Sequence, residues 1–210
     1  MAGFFITFEG GEGVGKTTQT KLIADKLRGL GYDVITTREP GGTPLGEKIR
    51  SILLKGDVDK MEPMTEALLF TAVRNDHVNR VIKPAVQSGK IVICDRFFDT
   101  TSAYQGFAHG LGIDRMEELY KLSVGDFKPD LTIIFDIAHD KSHGILTEMN
   151  RFENMGDEWL LKGTQGFREV AKLHPERCVL MDSVGTIDEV SSRIMKIINE
   201  KLGLEYGNKN

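Results

Sequence analysis

The sequence predicts an α/β fold, a doubly wound five-stranded parallel sheet, and two observations lead to it. Five short apolar segments rich in β-branched residues recur along the chain, and helix-length amphipathic segments separate them. The apolar residues run continuously instead of alternating, which is typical of strands that are covered on both faces. Strand and helix also alternate through the whole chain, as in sheets built with right-handed crossovers.

The elements follow one another without a linker or a repeat. The predicted strands cover residues 4–8, 34–37, 91–94, 131–135 and 178–181. The predicted helices cover residues 16–30, 64–82, 115–125, 158–173 and 187–202. The last helix has the clearest start, because Thr186 and Glu189 have the spacing of a capping box. We therefore expect a single domain over residues 1–210.

The composition excludes several classes of protein. The 210 residues carry a formal net charge of −4, so a basic coat for nucleic acid or for an anionic membrane is absent. No apolar stretch approaches the ~20 residues of a membrane span. Two cysteines cannot form a disulfide framework, and Cys94 and Cys178 are expected in the core. Without a recognisable signal peptide, the chain is expected to be cytoplasmic.

A glycine-rich segment joins the first predicted strand to the first helix and matches a phosphate-binding loop. Gly10, Gly15, Lys16 and Thr17 have the spacing G-x-x-x-x-G-K-[ST]. Glycines let successive backbone N–H groups cradle phosphate oxygens, and the helix dipole adds positive potential. Lys16 is expected to reach the β- and γ-phosphates of ATP, and the Thr17 hydroxyl to ligate Mg²⁺. The predicted ATP-binding residues are Gly10, Gly11, Glu12, Gly13, Val14, Gly15, Lys16, Thr17 and Thr18.

Further polar residues stand at strand ends, where parallel sheets bind ligands. Arg38 follows the second strand and is a candidate phosphate ligand, although a solvated turn arginine is the alternative. Asp95 and Arg96 close the third strand. Asp95 is placed to hold Mg²⁺ directly or indirectly, and Arg96 to bind a phosphate through two hydrogen bonds. Glu12 is unfavourable beside a polyanion, which suggests a hydrogen bond with a sugar hydroxyl of a second substrate.

A possible base-binding group lies on the second predicted helix, residues 64–82. Phe70 and Arg74 are four residues apart on a predicted helix and therefore share one face. They would form a base clamp, although spacing alone favours a core phenylalanine with a surface arginine. Residues 100–105 contribute hydroxyls, a ring and an amide, which are groups that read bases and sugars. Trp159 is expected in the core, and residues 138–155 have the irregular polar pattern of a lid.

These segments together resemble the bacterial thymidylate kinases, which phosphorylate dTMP with ATP. The resemblance runs from about residue 5 to about residue 198 and rests on motifs in a fixed order. After the phosphate loop come Arg-Glu-Pro-Gly-Gly-Thr at 38–43, Leu-Phe-Thr-Ala-Val-Arg at 69–74, Cys-Asp-Arg-Phe at 94–97, Ala-Tyr-Gln-Gly at 103–106 and Arg-Phe-Glu at 151–153. The phosphate loop alone marks a superfamily, whereas the other segments are far more specific.

The resemblance implies a fold, partners and roles for individual residues. The fold is that of the nucleoside-monophosphate kinases among the P-loop NTPases, usually a homodimer, with ATP, dTMP and Mg²⁺ bound. Glu12 would accept a hydrogen bond from the 3′-hydroxyl of dTMP, and Arg38 and Arg96 would hold its phosphate. Lys16, Thr17 and Asp95 would serve MgATP. The residues implied to contact the nucleoside are Phe70 stacking on thymine, Arg74, Thr101 and Gln105 at the base, and Tyr104 against the sugar.

The chain departs from the family pattern most clearly in the lid. Phe97 stands where the family usually has tyrosine, and residues 137–150 contain no arginine. A lid arginine stabilises charge on the transferring phosphoryl group. Arg151 is the nearest candidate for that role, ahead of Lys141 and His143. The predicted catalytic residues are therefore Lys16, Asp95, Arg96 and Arg151.

Three other functions compete with a thymidylate kinase. A kinase for dUMP or dCMP belongs to the same class, but Arg74 with Gln105 favours a base with a 4-keto edge and disfavours cytosine. A nucleotide-binding switch protein would need an N-K-x-D segment, which the sequence lacks. A binding protein with a degenerate lid is the third. We expect in-line transfer of the γ-phosphoryl group from MgATP to dTMP without a covalent enzyme intermediate.

Overall fold

The computed structural model describes residues 3–136 and 151–203 and contains the five predicted strands. The strands are β1 Phe4–Gly10, β2 Val34–Arg38, β3 Ile91–Asp95, β4 Leu131–Asp136 and β5 Cys178–Asp182. They pair in parallel in the order β2-β3-β1-β4-β5. The predicted five-stranded parallel sheet is confirmed. Every strand runs one or two residues further than predicted at its carboxyl end, because those residues are polar or glycine and lack the apolar signal.

Helices flank the sheet and mostly follow the predicted amphipathic segments. They are α1 Lys16–Gly29, α2 Pro44–Leu54, α3 Pro63–His77, α4 Lys83–Gln87, α5 Phe98–Thr101, α6 Ile113–Val124, α7 Asp157–Leu173 and α8 Ile187–Leu202. Two π-helical segments, Val78–Ile82 and Ser102–Ala108, continue α3 and α5. Helix α2 was not predicted, although Thr43 caps it by accepting from the Gly46 N–H and Pro44 occupies its first turn.

Side chains of one strand pack into different cores on the two faces of the sheet. On β1, Ile6 and Phe8 are fully buried in a cluster that includes residues of α1 and α8. Phe5, the residue before Ile6, is fully buried in a second cluster with residues of α3, α4 and α6. Because both faces are covered, most positions of the strand are apolar. This is the physical origin of the continuous apolar runs in the sequence.

A third cluster packs under α7 and confirms the remaining core expectations. Trp159 is 9% exposed and stacks on Tyr104 with ring centroids 4.6 Å apart. Cys178 lies in the same cluster, and Cys94 is fully buried in the second one. Both cysteines are free thiols. Within residues 3–136 and 151–203, no helix is long and apolar enough to cross a bilayer.

The strand order creates a crevice at the carboxyl ends of β1 and β3. From β1 the chain continues past β3 to β2, toward one edge of the sheet. From β3 it continues in the opposite direction, past β1, to β4. Neighbouring strands whose connections diverge in this way open the ligand site of a doubly wound sheet. The phosphate loop follows β1, and Asp95 with Arg96 stands at the end of β3.

The predicted lid around residues 138–155 falls largely on residues 137–150, which lie outside the described residues. The described chain resumes at the 3₁₀ turn Arg151–Met155 and enters α7. The prediction of a single domain over residues 1–210 stays a prediction.

A buried ion pair joins α5 to the far edge of the sheet. Arg177, just before β5, donates to both carboxylate oxygens of Asp99 at 2.7 and 2.8 Å. The same guanidinium donates to Thr132 Oγ1 of β4 at 3.0 Å. Asp99 is 1% exposed and Arg177 is 7% exposed. Removing one partner of such a pair leaves an uncompensated buried charge.

We predict that Arg177→Ala lowers the free energy of unfolding by about 3–5 kcal/mol, because the Asp99 carboxylate then stays buried without a cation. Urea-induced unfolding followed by circular dichroism measures the loss. Lys162→Ala is the control, since its ion pair with Glu158 is largely exposed and contributes little to stability. An Arg177→Ala loss as small as that of the control would contradict a stabilising role for the buried pair.

Candidate active site

The phosphate loop turns sharply between β1 and α1 at positions that only glycine fits. Gly10 has φ of +129° and Gly15, at the N-terminus of α1, has φ of +90°. A Cβ atom on Gly10 would lie 2.5 Å from the carbonyl oxygen of Phe135, so the loop passes β4 only without a side chain. Val14 packs into the core and is 8% exposed, which anchors the loop. The arrangement brings the start of α1 to the crevice.

Lys16 lies folded over the phosphate loop. Its side chain is buried, and its Nζ donates to the carbonyl oxygen of Gly11. Burial, followed by the positive charge of Arg96, lowers the pKa of Lys16 to about 8. An arriving polyphosphate would favour the charged ammonium, because an opposite charge nearby raises the pKa again. Lys16 is therefore placed to exchange a carbonyl partner for a phosphate oxygen.

Thr17 and Asp95 form the group that fits a metal ion. Thr17 Oγ1 donates to Asp95 Oδ2 at 2.6 Å, across the gap between α1 and the end of β3. A hydroxyl and a carboxylate are hard oxygen ligands, which Mg²⁺ prefers, and Mg²⁺ takes its remaining ligands from water and phosphate. Both residues line the crevice. The two predicted metal ligands are therefore adjacent and chemically suited to Mg²⁺.

Arg96 connects the phosphate loop to the end of β3. Its backbone is in the left-handed region, with φ of +67°, where non-glycine residues are uncommon. Its Nη1 donates to the Gly10 carbonyl at 2.9 Å and to Thr100 Oγ1 at 3.1 Å, and Nη2 pairs with Glu12 at 2.8 Å. These contacts direct the guanidinium toward the loop, where an anionic substrate group would meet it.

Glu9 holds the turn that carries Arg96, a role that was not predicted. The Glu9 carboxyl is fully buried and accepts hydrogen bonds from the Phe97 N–H and the Thr100 hydroxyl. Burial, followed by the charge of Asp99, raises the pKa of Glu9 to about 8. A glutamate inside an apolar strand is the only signal that could have pointed to it, because buried carboxyls need partners.

Glu12 is kept ionised inside the phosphate loop. Burial alone would raise its pKa, but Arg96 and then Lys16 outweigh burial, so the pKa of Glu12 lies below its usual value. The carboxylate thus balances two of the cations at the crevice. It remains available as an acceptor for a hydroxyl group.

Two further arginines approach the crevice from β2 and α2. Arg38 is half exposed and pairs with Glu47 at 2.9 Å. Arg50 donates to the Pro40 carbonyl at 2.8 Å, and both arginines line the cavity. Burial, followed by the charge of Arg38, lowers the pKa of Arg50. Arg50 was not predicted as a site residue. Helix α2 was not predicted either, so residue 50 was not expected on a helix beside Arg38.

Arg74 sits at the opposite end of the crevice in a buried network. Its Nε donates to Glu39 at 2.9 Å, and its Nη2 donates to the Phe97 carbonyl and to Thr101 Oγ1, each at 3.1 Å. Glu39 also contacts His77 Nδ1 at 3.1 Å. Arg74 is only 1% exposed but lines the cavity. It is therefore a fixed group of the wall, in contrast to a surface arginine.

The other residues predicted at the base and sugar surround the same end. Phe70 is 6% exposed and tilts against Phe152, with ring centroids 6.0 Å apart. Tyr104 has the Arg96 guanidinium over its ring at 5.9 Å. Gln105 donates through Nε2 to Glu66 at 2.6 Å. Phe70, Tyr104 and Gln105 all line the cavity.

The structure contradicts the prediction that Arg151 is the lid cation. Arg151 is 2% exposed, and its guanidinium donates to the carbonyls of Leu53 and Val58 and to the carboxylate of Glu66. It is absent from the described residues that line the crevice. The Glu66 carboxylate and the two carbonyls therefore hold the guanidinium away from the crevice. Lys141 and His143, the other two candidates, lie outside the described residues.

One cavity of about 770 Å³ connects these groups. Among the described residues, six cationic side chains line it: Lys16, Lys21, Arg38, Arg50, Arg74 and Arg96. Three acidic ones in the same part of the chain accompany them: Glu12, Glu39 and Asp95. The surplus of positive charge suits a polyanionic ligand, and the aromatic and amide groups at one end suit a flat heterocycle. Apart from Gly10, Gly11, Val14 and Arg151, every predicted site residue lines this cavity.

Comparison with known proteins agrees with this geometry. The sequence model of the family described as thymidylate kinase matches residues 8–194. A thymidylate kinase of Syntrophotalea carbinolica is 43% identical over 97% of this chain and 99% of the relative. A thymidylate kinase of Caulobacter vibrioides is 41% identical over 96% of this chain and 99% of the relative.

A solved structure shows the same arrangement of the chain. The crystal structure of thymidylate kinase from Ehrlichia chaffeensis matches with a TM-score of 0.79 and 35% sequence identity, covering 94% of this chain and 100% of that one. With the family match, the relatives and the phosphate loop beside an arginine-lined crevice, the chain belongs to the thymidylate kinase family.

Proposed function

We propose that this chain transfers the γ-phosphoryl group of MgATP to the phosphate of dTMP, giving ADP and dTDP for the synthesis of dTTP. The observation that carries the proposal is the single cavity that joins the phosphate loop to an aromatic, amide-lined pocket. Arginines stand between the two ends. A donor triphosphate and an acceptor monophosphate therefore fit end to end, with their phosphates meeting at the cationic centre.

The donor end binds ATP through the loop and Lys16. Backbone N–H groups of the loop and the N-terminus of α1 face the phosphates, and Lys16 leaves the Gly11 carbonyl for a phosphate oxygen. Thr17 and Asp95 would hold Mg²⁺, whose charge would help to neutralise the donor phosphates.

The acceptor phosphate of dTMP binds between Arg96 and the two arginines Arg38 and Arg50. A guanidinium can donate two parallel hydrogen bonds to a phosphate, which fixes both its position and its orientation. The attacking phosphate oxygen is ionised near neutral pH, so the reaction requires no general base. Catalysis then consists of positioning the two phosphates and neutralising their charge.

The nucleoside occupies the aromatic end. Phe70 stacks on thymine, while Arg74, Thr101 and Gln105 contact its edge. Tyr104 packs against the deoxyribose, and Glu12 accepts a hydrogen bond from the 3′-hydroxyl. The depressed pKa of Glu12 supports that role, since an ionised carboxylate is an acceptor only.

We further propose a cytoplasmic homodimer that binds neither nucleic acid nor membranes. The formal net charge of −4 supports the absence of a polyanionic partner. Leu68 on α3 is 49% exposed and Leu122 on α6 is 85% exposed, which provides apolar surface for helix packing between two copies.

The proposed function is tested by a coupled ADP-release assay across the common nucleoside and deoxynucleoside monophosphates. We expect kcat/KM for dTMP to exceed the values for the cytosine and purine monophosphates by at least about a hundredfold, because their edges leave buried polar groups unpaired. Removing Mg²⁺ with a chelator should abolish turnover. A preference for a cytosine or purine monophosphate would contradict the assignment.

We predict that Lys16→Ala lowers kcat at least about tenfold while the fold is retained, since it removes a charge that stabilises the transferring phosphoryl group. Steady-state kinetics with dTMP and a thermal melt measure the two effects. Lys196→Ala is the matched control, because Lys196 lies on α8 with its side chain 76% exposed. If the kcat of Lys16→Ala stays within threefold of the control, the proposed catalytic role of Lys16 is wrong.

A further inference from the structure

A chain of three buried polar side chains ends at the base pocket. Gln105 Nε2 donates to Glu66 Oε1 at 2.6 Å, and Arg151 Nη2 pairs with Glu66 Oε2. Gln105 and Glu66 are each 1% exposed, and Arg151 is 2% exposed. Only Gln105 of the three lines the cavity. Glu66 and Arg151 therefore reach a ligand only through Gln105.

Arg151 keeps Glu66 in one chemical form. Its Nε and Nη1 donate to the Leu53 and Val58 carbonyls at 3.1 and 2.9 Å, which holds the guanidinium in place against the carboxyl group. Arginine stays protonated in proteins, so Glu66 faces a permanent cation and is a carboxylate. His109 Nε2, at 3.9 Å from Glu66 Oε1, is beyond hydrogen-bond distance.

The carboxylate determines which way the Gln105 amide points. A carboxylate accepts hydrogen bonds and cannot donate one, so the amide must present its NH₂ group to Glu66. Its carbonyl oxygen is then the atom left for a ligand. Oε1 of Gln105 is buried, and it has no hydrogen-bond partner among residues 3–136 and 151–203. A buried acceptor without a partner is costly unless a ligand supplies the donor.

We propose that Glu66, held by Arg151, is a positioning residue that fixes the Gln105 amide so that the pocket accepts bases with a ring N–H donor. The inference rests on the proposed function and names how its base selectivity arises. Thymine carries a hydrogen on N3 that meets the Gln105 carbonyl. Cytosine has an acceptor at the same ring position, which would face the carbonyl oxygen without a proton between them. An amide free to turn would accommodate either base.

The test compares dTMP with 5-methyl-dCMP, which keeps the methyl group and changes only the 4-position and N3. In Glu66→Gln the residue at 66 can donate as well as accept, so the Gln105 amide is free to turn. The ratio of kcat/KM for the two nucleotides is expected to fall at least about tenfold. The KM for ATP should stay within about twofold. A purely structural role would lower kcat/KM for both nucleotides equally and leave the ratio unchanged.

Two further variants make the comparison sharp. Glu62→Gln is the matched control, because Glu62 is exposed at the N-terminus of the same helix, and it should keep the wild-type ratio. Glu66→Gln with Arg151→Gln removes both charges together, so it avoids the unpaired buried cation that destabilises the single variant. Thermal melts identify which of the two is folded for kinetics. A wild-type ratio in the folded variant would overturn the proposal.

Equilibrium binding to the wild-type protein provides a test that needs no variant. Calorimetry is expected to show dTMP binding at least about tenfold more tightly than 5-methyl-dCMP. Equal affinities would overturn the inference even if the protein phosphorylates dTMP efficiently. A protein that does not phosphorylate dTMP at all refutes the proposed function instead, and the two failures are thereby distinguished.

Discussion

The position of Arg96 is the constraint on which the rest of the site depends. Its guanidinium contacts the phosphate loop at Gly10 and Glu12, and its backbone takes an uncommon left-handed turn at the end of β3. The Glu9 carboxyl on β1 stabilises that turn by accepting a hydrogen bond from the Phe97 N–H. The turn brings the Arg96 guanidinium to Gly10 and Glu12 of the phosphate loop.

Carboxylates hold several of the arginines in and near the crevice. Glu12 pairs with Arg96, Glu39 holds Arg74, and Glu66 holds Arg151 away from the crevice. Each pair is largely withdrawn from water. Removing one partner of such a pair leaves an unpaired charge, which is costly away from solvent. The pairs with Glu12 and Glu39 leave Arg96 and Arg74 lining the cavity, whereas the pair with Glu66 holds Arg151 outside the described lining.

Most of the fold and part of the site could be predicted from the sequence, and the predictions that failed did so for physical reasons. Apolar runs revealed the strands because both faces of the sheet are covered, and the loop before Lys16 follows from spacing and glycine geometry. Glu9 and Glu66 carry no motif, since their importance comes from partners distant in sequence. Arg151 was assigned to the lid because it lies within the predicted lid segment 138–155, whereas its partner Glu66 is 85 residues away. Sequence proximity is a poor guide to the partner of a buried charge.

The measurement that tests this account most directly is the kinetics of Arg96→Lys. Lysine keeps the charge but cannot contact Gly10, Thr100 and Glu12 together, since it lacks the planar fork of the guanidinium. We expect kcat/KM for dTMP to fall at least about thirtyfold, with little change in the KM for ATP. Arg80→Lys, on a side chain that is 72% exposed, should match the wild type. If Arg96→Lys stays within threefold of that control, positive charge suffices and the geometry at the end of β3 does not organise the site.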